Sequence, residues 1–561
     1  MSLGIDALID LAGGELPASE AAALGLTPSR PGIACTALGE ILRDENRCTI
    51  LVGHIGGLPA IAAALGAAGE LSPVALVRRA LDAWGENAAA KLPGEWVLLD
   101  WQPGTVTLLQ SAARWVPIFY ARRGNRVAIS ADLFTLSRLP WIGREIDPNG
   151  LLIAFARGDV RGQRTILGGV SELRRGETVR ISAGGTASSI NLPFAPVPRW
   201  HGTFAQASDQ ASELLRQIVS ERLARHGDVA CLLSGGLDSS LLALTLADTL
   251  RPGQRLFAVT SVAPAGSGLP DEHRQAKSVA DALGIALTPV APDRLGNIYA
   301  PDPLVYAEAN GPSLSVRHYL YHALNAQAEA LGATGIFDGI FGEMTASALM
   351  PLDSPRWRLR QLAKRVLRRN LVDAGPSFNV RLAPHRMAAA MAAVGTERAA
   401  AEPQSRSSHE PWGYLPGAAK IMRTPSHRPG SLICEYPFRD QRLLQLFAGF
   451  PAHFLEQDGF NRAPARAMMA GRIPDAIRLR RDVQPFSPDY MERLQGDAPA
   501  ARARISAFRR ADIGDWLDLD WLDAALGAVA QRGPRDVGEA FDVQLTAMAA
   551  EFLLWWRYPA G

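Results

Sequence analysis

The sequence predicts a two-domain protein of mixed α/β and α+β class. A sheet domain comes first, then a doubly wound parallel sheet with a helical C-terminal extension. Three observations carry this expectation. Short apolar segments separated by Gly-, Pro- and Asp-rich turns fill the first third of the chain. Beyond Pro193-Phe194-Ala195-Pro196-Val197-Pro198, a stretch that neither a helix nor an inner strand can continue, strands and helices alternate. One of those strands runs into Ser234-Gly235-Gly236-Leu237-Asp238-Ser239-Ser240, and a helix follows at once. The expected domains are 1–195 and 200–561.

In the first domain, Trp96–Leu99, Thr105–Leu109, Ile118–Tyr120 and Val127–Ile129 read as strands of an antiparallel sheet, with a helix over Pro73–Trp84. In the second, strands are expected at Ala230–Leu233, Leu256–Thr260, Ile285–Val290 and Gly335–Phe337. Helices are expected at Ser239–Leu250, Glu272–Leu283 and Val316–Leu331; in Glu272–Leu283, Ala276, Val279, Ala280 and Leu283 recur at helical spacing. From about Arg356 onward the chain reads as mostly helical, with Trp516, Trp521, Trp555 and Trp556 as core aromatics. Pro355–Asn370 reads as a solvated basic helix face, with contact to an acidic peptide or partner as the alternative, and Thr396–His409 as an exposed loop.

Composition narrows the function. The 561 residues are 47% hydrophobic and 20% charged, which is ordinary globular composition, and the formal net charge of +2 gives no footprint for nucleic acid. No apolar run is long enough to span a bilayer, and the start carries Asp6 and Asp10 rather than a basic segment, so it does not read as a signal peptide. Cys35, Cys48, Cys231 and Cys434 show no Cys-x-x-Cys spacing and read as buried thiols in a reducing cytoplasm.

The Ser234–Ser240 run carries the chemistry. A strand–turn–helix joint leaves backbone N–H groups unshielded at a helix N-terminus, which suits phosphate oxygens. Gly235 and Gly236 let the backbone approach the anion, and the hydroxyls of Ser234, Ser239 and Ser240 add donors. Asp238 would repel a phosphate unless a cation lay between them, so it implies Mg2+. A helix-capping turn requires no such set of two glycines and three hydroxyls. No Gly-Lys-Ser/Thr follows the glycines, so the run is not a Walker A loop. It resembles the PP-loop of ATP pyrophosphatases, which split ATP into AMP and pyrophosphate while adenylating a substrate.

With this loop in the second domain, the whole chain resembles the asparagine synthetase B superfamily. The first domain is similar to its Ntn, class II glutamine amidotransferase domain through Gly94-Glu95-Trp96, Asp100, Pro117–Tyr120, Ala128–Leu133 and Leu173–Val179. Members with glutaminase activity begin Met-Cys-Gly-Ile, whereas this sequence begins Met1-Ser2-Leu3-Gly4-Ile5, so the resemblance implies an inactive glutaminase site. Gly335–Glu343 resembles the family stretch Gly-x-Gly-x-Asp-Glu. Aligned on Gly339, it puts Glu343 where the family's second Mg2+ ligand stands and Ile340 where the small-molecule synthetases have Glu or Tyr. Glu435–Leu443 resembles the Pro-Phe-x-Asp-x-Arg-Leu segment, with Asp440 and Arg442 expected to make structural ion pairs. Gln484–Tyr490 looks most like lasso cyclases. Val483 and Gln484 stand where the family usually has Lys, and Arg480 or Arg481 is expected to supply that charge.

The resemblance therefore implies a lasso peptide macrolactam synthetase using ATP and Mg2+. Asp238 and Glu343 would hold the metal, and Asp238, Glu343, Arg480 and Arg481 would form the catalytic set. Leu232, Ser234, Gly235, Gly236, Asp238, Ser239, Ser240, Val259, Thr260 and Gly339 would bind the nucleotide. Implied partners are a lasso precursor (core) peptide, a leader peptidase and a leader-binding protein, with neither nucleic acid nor membrane. The alternatives are a β-lactam synthetase or asparagine synthetase-like ligase of small molecules, and a non-catalytic nucleotide-binding scaffold.

Overall fold

A computed structural model describes residues 4–28, 31–67, 71–111, 113, 117–156, 163–190, 198–291, 296–312, 314–348, 359, 377–405, 432–482 and 486–558. The chain divides into two compact units: Met1–Ala154 with Val160–Pro196 and Ala393–Ser407, and Phe155–Asp159 with Val197–Ala392 and Ser408–Gly561.

The first unit is built on two antiparallel sheets. One has the order β2 (Ile33–Ala37), β1 (Ile5–Asp10), β8 (Arg126–Ser130), β7 (Phe119–Arg123), β9 (Val170–Glu172). The other runs β11 (Gly185–Ile190), β10 (Glu177–Ser182), β6 (Thr105–Gln110), β5 (Gly94–Gln102), β4 (Cys48–Ile55), β3 (Glu40–Arg43). Side chains alternate between the faces of a strand, and in β5 both faces are buried. Val97, Leu99 and Trp101 join Ile5, Ala7 and Ile129 between the sheets. Trp96 and Leu98 pack on the other side with Val74, Val77 and Ala80 of the helix Pro73–Trp84. The uninterrupted apolar run at 96–99 reflects this double burial. Ser72 caps that helix, accepting from Ala75 N at 3.4 Å, and Pro73 occupies its first turn.

The second unit carries a five-stranded parallel sheet of order β14 (Ala286–Val290), β13 (Leu256–Ser261), β12 (Val229–Leu232), β15 (Gly335–Phe337), β16 (Ile433–Glu435). Helices Leu237–Thr249, His273–Leu283 and His318–Ala330 alternate with the strands. Strand β12 has β13 on one side and β15 on the other. The connections leave it in opposite directions and open a crevice at its carboxyl end. No sequence signal marked β16, which is three residues long.

Three expectations change. Cys35 and Cys434, read as buried thiols, are half-buried. Thr396–Ser405 continues the helix Met387–Ser405 rather than forming a loop, because the run is rich in alanine, the strongest helix former; residues 406–409 lie outside the described residues. Of the four tryptophans expected in the core only Trp556 is buried. Trp516 and Trp521 are half-buried beneath the guanidinium groups of Arg386 and Arg381, 4.4 and 4.9 Å from their ring centres. The basic residues expected between Arg356 and Arg369 lie outside the described residues, as do Met1–Leu3, residues 193–197 of the proline-spaced stretch, and Val483–Pro485.

Behind the sheet lies a buried charge network. Glu435, 2% exposed at the end of β16, accepts from Arg222 Nη1 at 2.7 Å and Arg225 Nη1 at 3.1 Å, and its Oε1 lies 2.9 Å from His226 Nε2. Arg442 pairs with Asp440 at 3.0 Å and Glu221 at 2.6 Å, the structural role expected of Asp440 and Arg442. Burial alone would raise the Glu435 carboxyl. Arg225, His226 and Arg222 together outweigh it and hold the group well below the usual glutamate range. Its stabilisation is therefore complete above the ordinary glutamate value of 4.5 and is lost as pH falls through the depressed folded value. Glu435→Ala removes a partner shared by buried cations and should cost about 3–5 kcal/mol in urea unfolding at neutral pH. The loss should shrink in acid.

Candidate active site

A cavity of about 430 Å³ lies at the carboxyl ends of the parallel strands, and most of the residues expected to form the site line it. Ser234, Gly235, Gly236, Asp238 and Ser239 of the loop, Leu232 of β12, and Val259 and Thr260 of β13 are on its wall, as are Gly339, Glu343, Arg480 and Arg481. Ser240 is the exception. It is fully buried and absent from the wall, because each helical residue turns about 100° and carries the next side chain after Ser239 into the core.

The loop is stitched from within. Ser234 Oγ lies 3.1 Å from Ser239 Oγ and accepts from Gly236 N at 3.2 Å, while Ser239 Oγ donates to Gly236 O at 3.2 Å. Gly236 caps the helix without a side-chain bond, so no side chain of its own screens the first-turn N–H groups. Gly235 has φ +74°, and a Cβ there would stand 2.5 Å from Gln275 Cβ. Only glycine meets both requirements.

The second loop, beyond β15, packs directly on the first. A Cβ on Gly339 would lie 2.9 Å from Ser239 N, and one on Gly342 would lie 2.2 Å from Asp238 Oδ1. Phe341 between them has φ 73° and is 2% exposed, a left-handed residue held by its burial. This contact sets the two expected metal ligands side by side. Burial pushes the Asp238 carboxyl up to about 6; the Ser347 hydroxyl and Arg462 pull it partly back, and the Glu343 charge adds to the rise. Asp238 Oδ1 is buried without a hydrogen-bond partner. A buried orphan carboxylate oxygen beside a second carboxylate fits a hard divalent cation such as Mg2+.

Four residues at the site were not assigned a role by sequence. Asp338 ends the strand facing the cavity, accepts from Ile340 N at 3.1 Å and donates its own N–H to Glu435 O at 3.0 Å. Burial raises its carboxyl to about 6, against the pull of the Ile340 N–H, with Glu343 and Asp238 adding to the rise. It supplies the ionisable side chain that Ile340 lacks. Arg462, with φ 56°, lines the cavity, and Arg466 donates to Asn461 O at 2.7 Å, to Arg480 O at 3.1 Å and to Arg478 O. Glu272 pairs with Arg480 at 3.0 Å, so Arg480 is not an unopposed charge: Asp482 holds its Nε at 2.9 Å as well, leaving Nη2 buried without a partner. Arg481 is exposed and lies 4.6 Å over the Phe460 ring. Asp338 had a local signal, a carboxylate directly after strand β15, whereas Arg462 had none. The Glu272–Arg480 pair has no local signal.

Two outcomes test this geometry. Gly342→Ala displaces Asp238 and should weaken Mg2+-dependent binding of a non-hydrolysable ATP analogue at least about tenfold, or 1.4 kcal/mol, in calorimetry; unchanged affinity would remove Asp238 from the metal site. The raised carboxyls of Asp238 and Asp338 hold protons that the unfolded chain has released, so cation-free stability declines as pH rises from the ordinary 3.8 through about 6. A cation bound to the anionic pair reverses that decline. Mg2+ should therefore raise the thermal midpoint above about pH 6 and do little below it.

Residues 210–423 and 426–557 match the family model described as asparagine synthase. No curated protein matches the chain. Solved structures with similarity include a glutamine phosphoribosylpyrophosphate amidotransferase from B. subtilis complexed with ADP and GMP, at 11% identity over 60% of this chain and 76% of that one, TM-score 0.24. They also include a glutamine aminotransferase class-II domain protein from Silicibacter pomeroyi, at 13% identity over 30% and 77%, TM-score 0.20. A third is an allosteric regulatory enzyme of purine biosynthesis, at 9% identity over 60% and 74%, TM-score 0.24. Among the described residues no helix is long and apolar enough to cross a membrane. The family match spans well over half of the chain and covers every wall of the cavity, so the protein belongs to the asparagine synthase family, whose activity class is ATP-dependent carbon–nitrogen ligation.

Proposed function

We propose that this ligase closes a macrolactam on a ribosomal peptide, as lasso peptide synthetases do, with release of AMP and pyrophosphate. The observation that carries the reading is a single cavity that combines the phosphate loop and a carboxylate pair with the side chains Tyr321, Leu324, Ile340, Ile477 and Phe486. Such a wall suits a peptide segment better than a small polar amine. The likeness of Gln484–Tyr490 to lasso cyclases supports the same choice.

In this reading the loop amides and Arg462, Arg480 and Arg481 bind the phosphates, and Asp238 and Glu343 hold Mg2+. The cation, when bound, neutralises charge developing on the phosphate oxygens. An Asp or Glu side chain of the peptide attacks the α-phosphorus and the bond to pyrophosphate breaks, leaving an acyl-adenylate. The peptide's α-amine then attacks the acyl carbon, the bond to AMP breaks, and Asp338 accepts the ammonium proton. Holding amine and acyl carbon together is worth about 7–11 kcal/mol of the barrier. The protein would work in the cytoplasm with a leader peptidase and a leader-binding protein as partners.

Asp338 also favours a second reading. An ionisable group on the cavity wall is what a small-molecule amide ligase requires, so Ile340 alone does not exclude one. ATP–pyrophosphate exchange separates the two. Exchange driven by peptides with an unblocked N-terminus and an internal acidic residue, with a product lighter by one water, is expected. Exchange driven only by small β-amino acids would establish the second reading, and no AMP with either class would leave a nucleotide-binding scaffold.

A further inference from the structure

Two cysteines outside the ligase site are placed together by the fold. Cys35 is on edge strand β2 of one sheet and Cys48 on β4 of the other, and their sulfurs are 4.0 Å apart at the margin of the core between the sheets. Arg43 stands directly opposite Cys48 in the β3–β4 ladder. Instead of turning to a carboxylate, it donates Nη2 to Cys35 Sγ at 3.2 Å and to Cys35 O at 3.4 Å. Cys48 is fully buried, whereas Cys35 is half-buried and Arg43 exposed, so of the two cysteines only Cys35 is partly open to solvent.

We infer that Cys35 and Cys48 form a thiol–disulfide modification site that reversibly staples the edge strand of one sheet to the other. The chemistry follows from the asymmetry. The Arg43 guanidinium contacts Cys35 Sγ and would stabilise a thiolate there, while the contact with Cys35 and burial push the Cys48 thiol up, so Cys35 is the attacking sulfur of the pair. Its thiolate attacks a low-molecular-weight disulfide. One new S–S bond forms, the reagent's own breaks, and one equivalent of small thiol leaves. Cys48 then gives up its proton and attacks Cys35 Sγ, forming the internal bond and releasing the second small thiol. Two protein thiols are oxidised and one small disulfide is reduced to two thiols, so the exchange balances. Cys231 does not compete: it is fully buried, and burial pushes its thiol up to about 12. The sulfurs need only close from 4.0 Å to bonding distance, roughly 2 Å, a shift within side-chain rotation and small strand movement.

The test is peptide mapping and intact mass of the full-length protein after incubation with oxidised glutathione without reductant. The expected product has lost the mass of two hydrogens, contains a Cys35–Cys48 cross-link, and returns to the starting mass with dithiothreitol. Cys48→Ser should stop at a glutathionyl adduct on Cys35. Because that variant alters a buried position, the exposed Arg43→Gln serves beside it and should slow cross-linking about tenfold by removing the charge beside the thiolate. Absence of the cross-link in the wild-type protein, or a link through Cys231 or Cys434, overturns the assignment. An Arg43→Gln rate equal to wild type overturns the activation of Cys35.

Discussion

One carboxylate ties the end of strand β16 to the helix before β12. The Glu435 side chain is anchored beneath the sheet by Arg222, Arg225 and His226, while its backbone carbonyl accepts the N–H of Asp338 at the end of β15. That bond fixes the start of the second loop, whose next residues are Asp338 on the cavity wall, Gly339 against the Ser234–Ser240 loop, and Gly342 against Asp238. A buried ion network of this kind adds little stability over a packed apolar core. What it adds is position, because a charge-assisted cluster has one good arrangement whereas an apolar contact tolerates sliding.

That the Ser234–Ser240 loop, Asp238 and Glu343 share one cavity was legible because the information is local. Strand end, glycines, hydroxyls and Asp238 sit within a few residues, and the second loop follows a recognisable strand. What was not legible is non-local or rotational. Ser240 was grouped with Ser239 as a donor, although one helical step turns its hydroxyl into the core. Arg480 reads from sequence as an unopposed cation, yet Glu272 lies at the start of a helix far earlier in the chain and meets it only through the fold. The helix through Thr396–Ser405 was hidden by the Ser, Glu and Arg residues mixed among its alanines. The first unit's strands were found because β5 buries both faces and so carries a continuous apolar run.

Asp338 and Ile340 flank Gly339 and both line the cavity, but only the aspartate can exchange a proton. The strand geometry places this carboxylate where β15 ends in the crevice. A ligase that activates a carboxylate and then accepts an amine must dispose of one proton. A buried aspartate whose pKa lies near 6 is suited to that task for either size of substrate.

The bonds made by Arg466 give the site a further property. Its guanidinium holds the carbonyls of Asn461, Arg478 and Arg480, and so fixes the segment that carries the cavity's cations. Burial and the like charges of Arg462, Arg481 and Arg478 lower the pKa of Arg466, which registers the mutual repulsion of the cluster. A polyanion entering the cavity would relieve part of that repulsion, so the same arginine that fixes the segment would also favour a charged ligand before any specific contact forms.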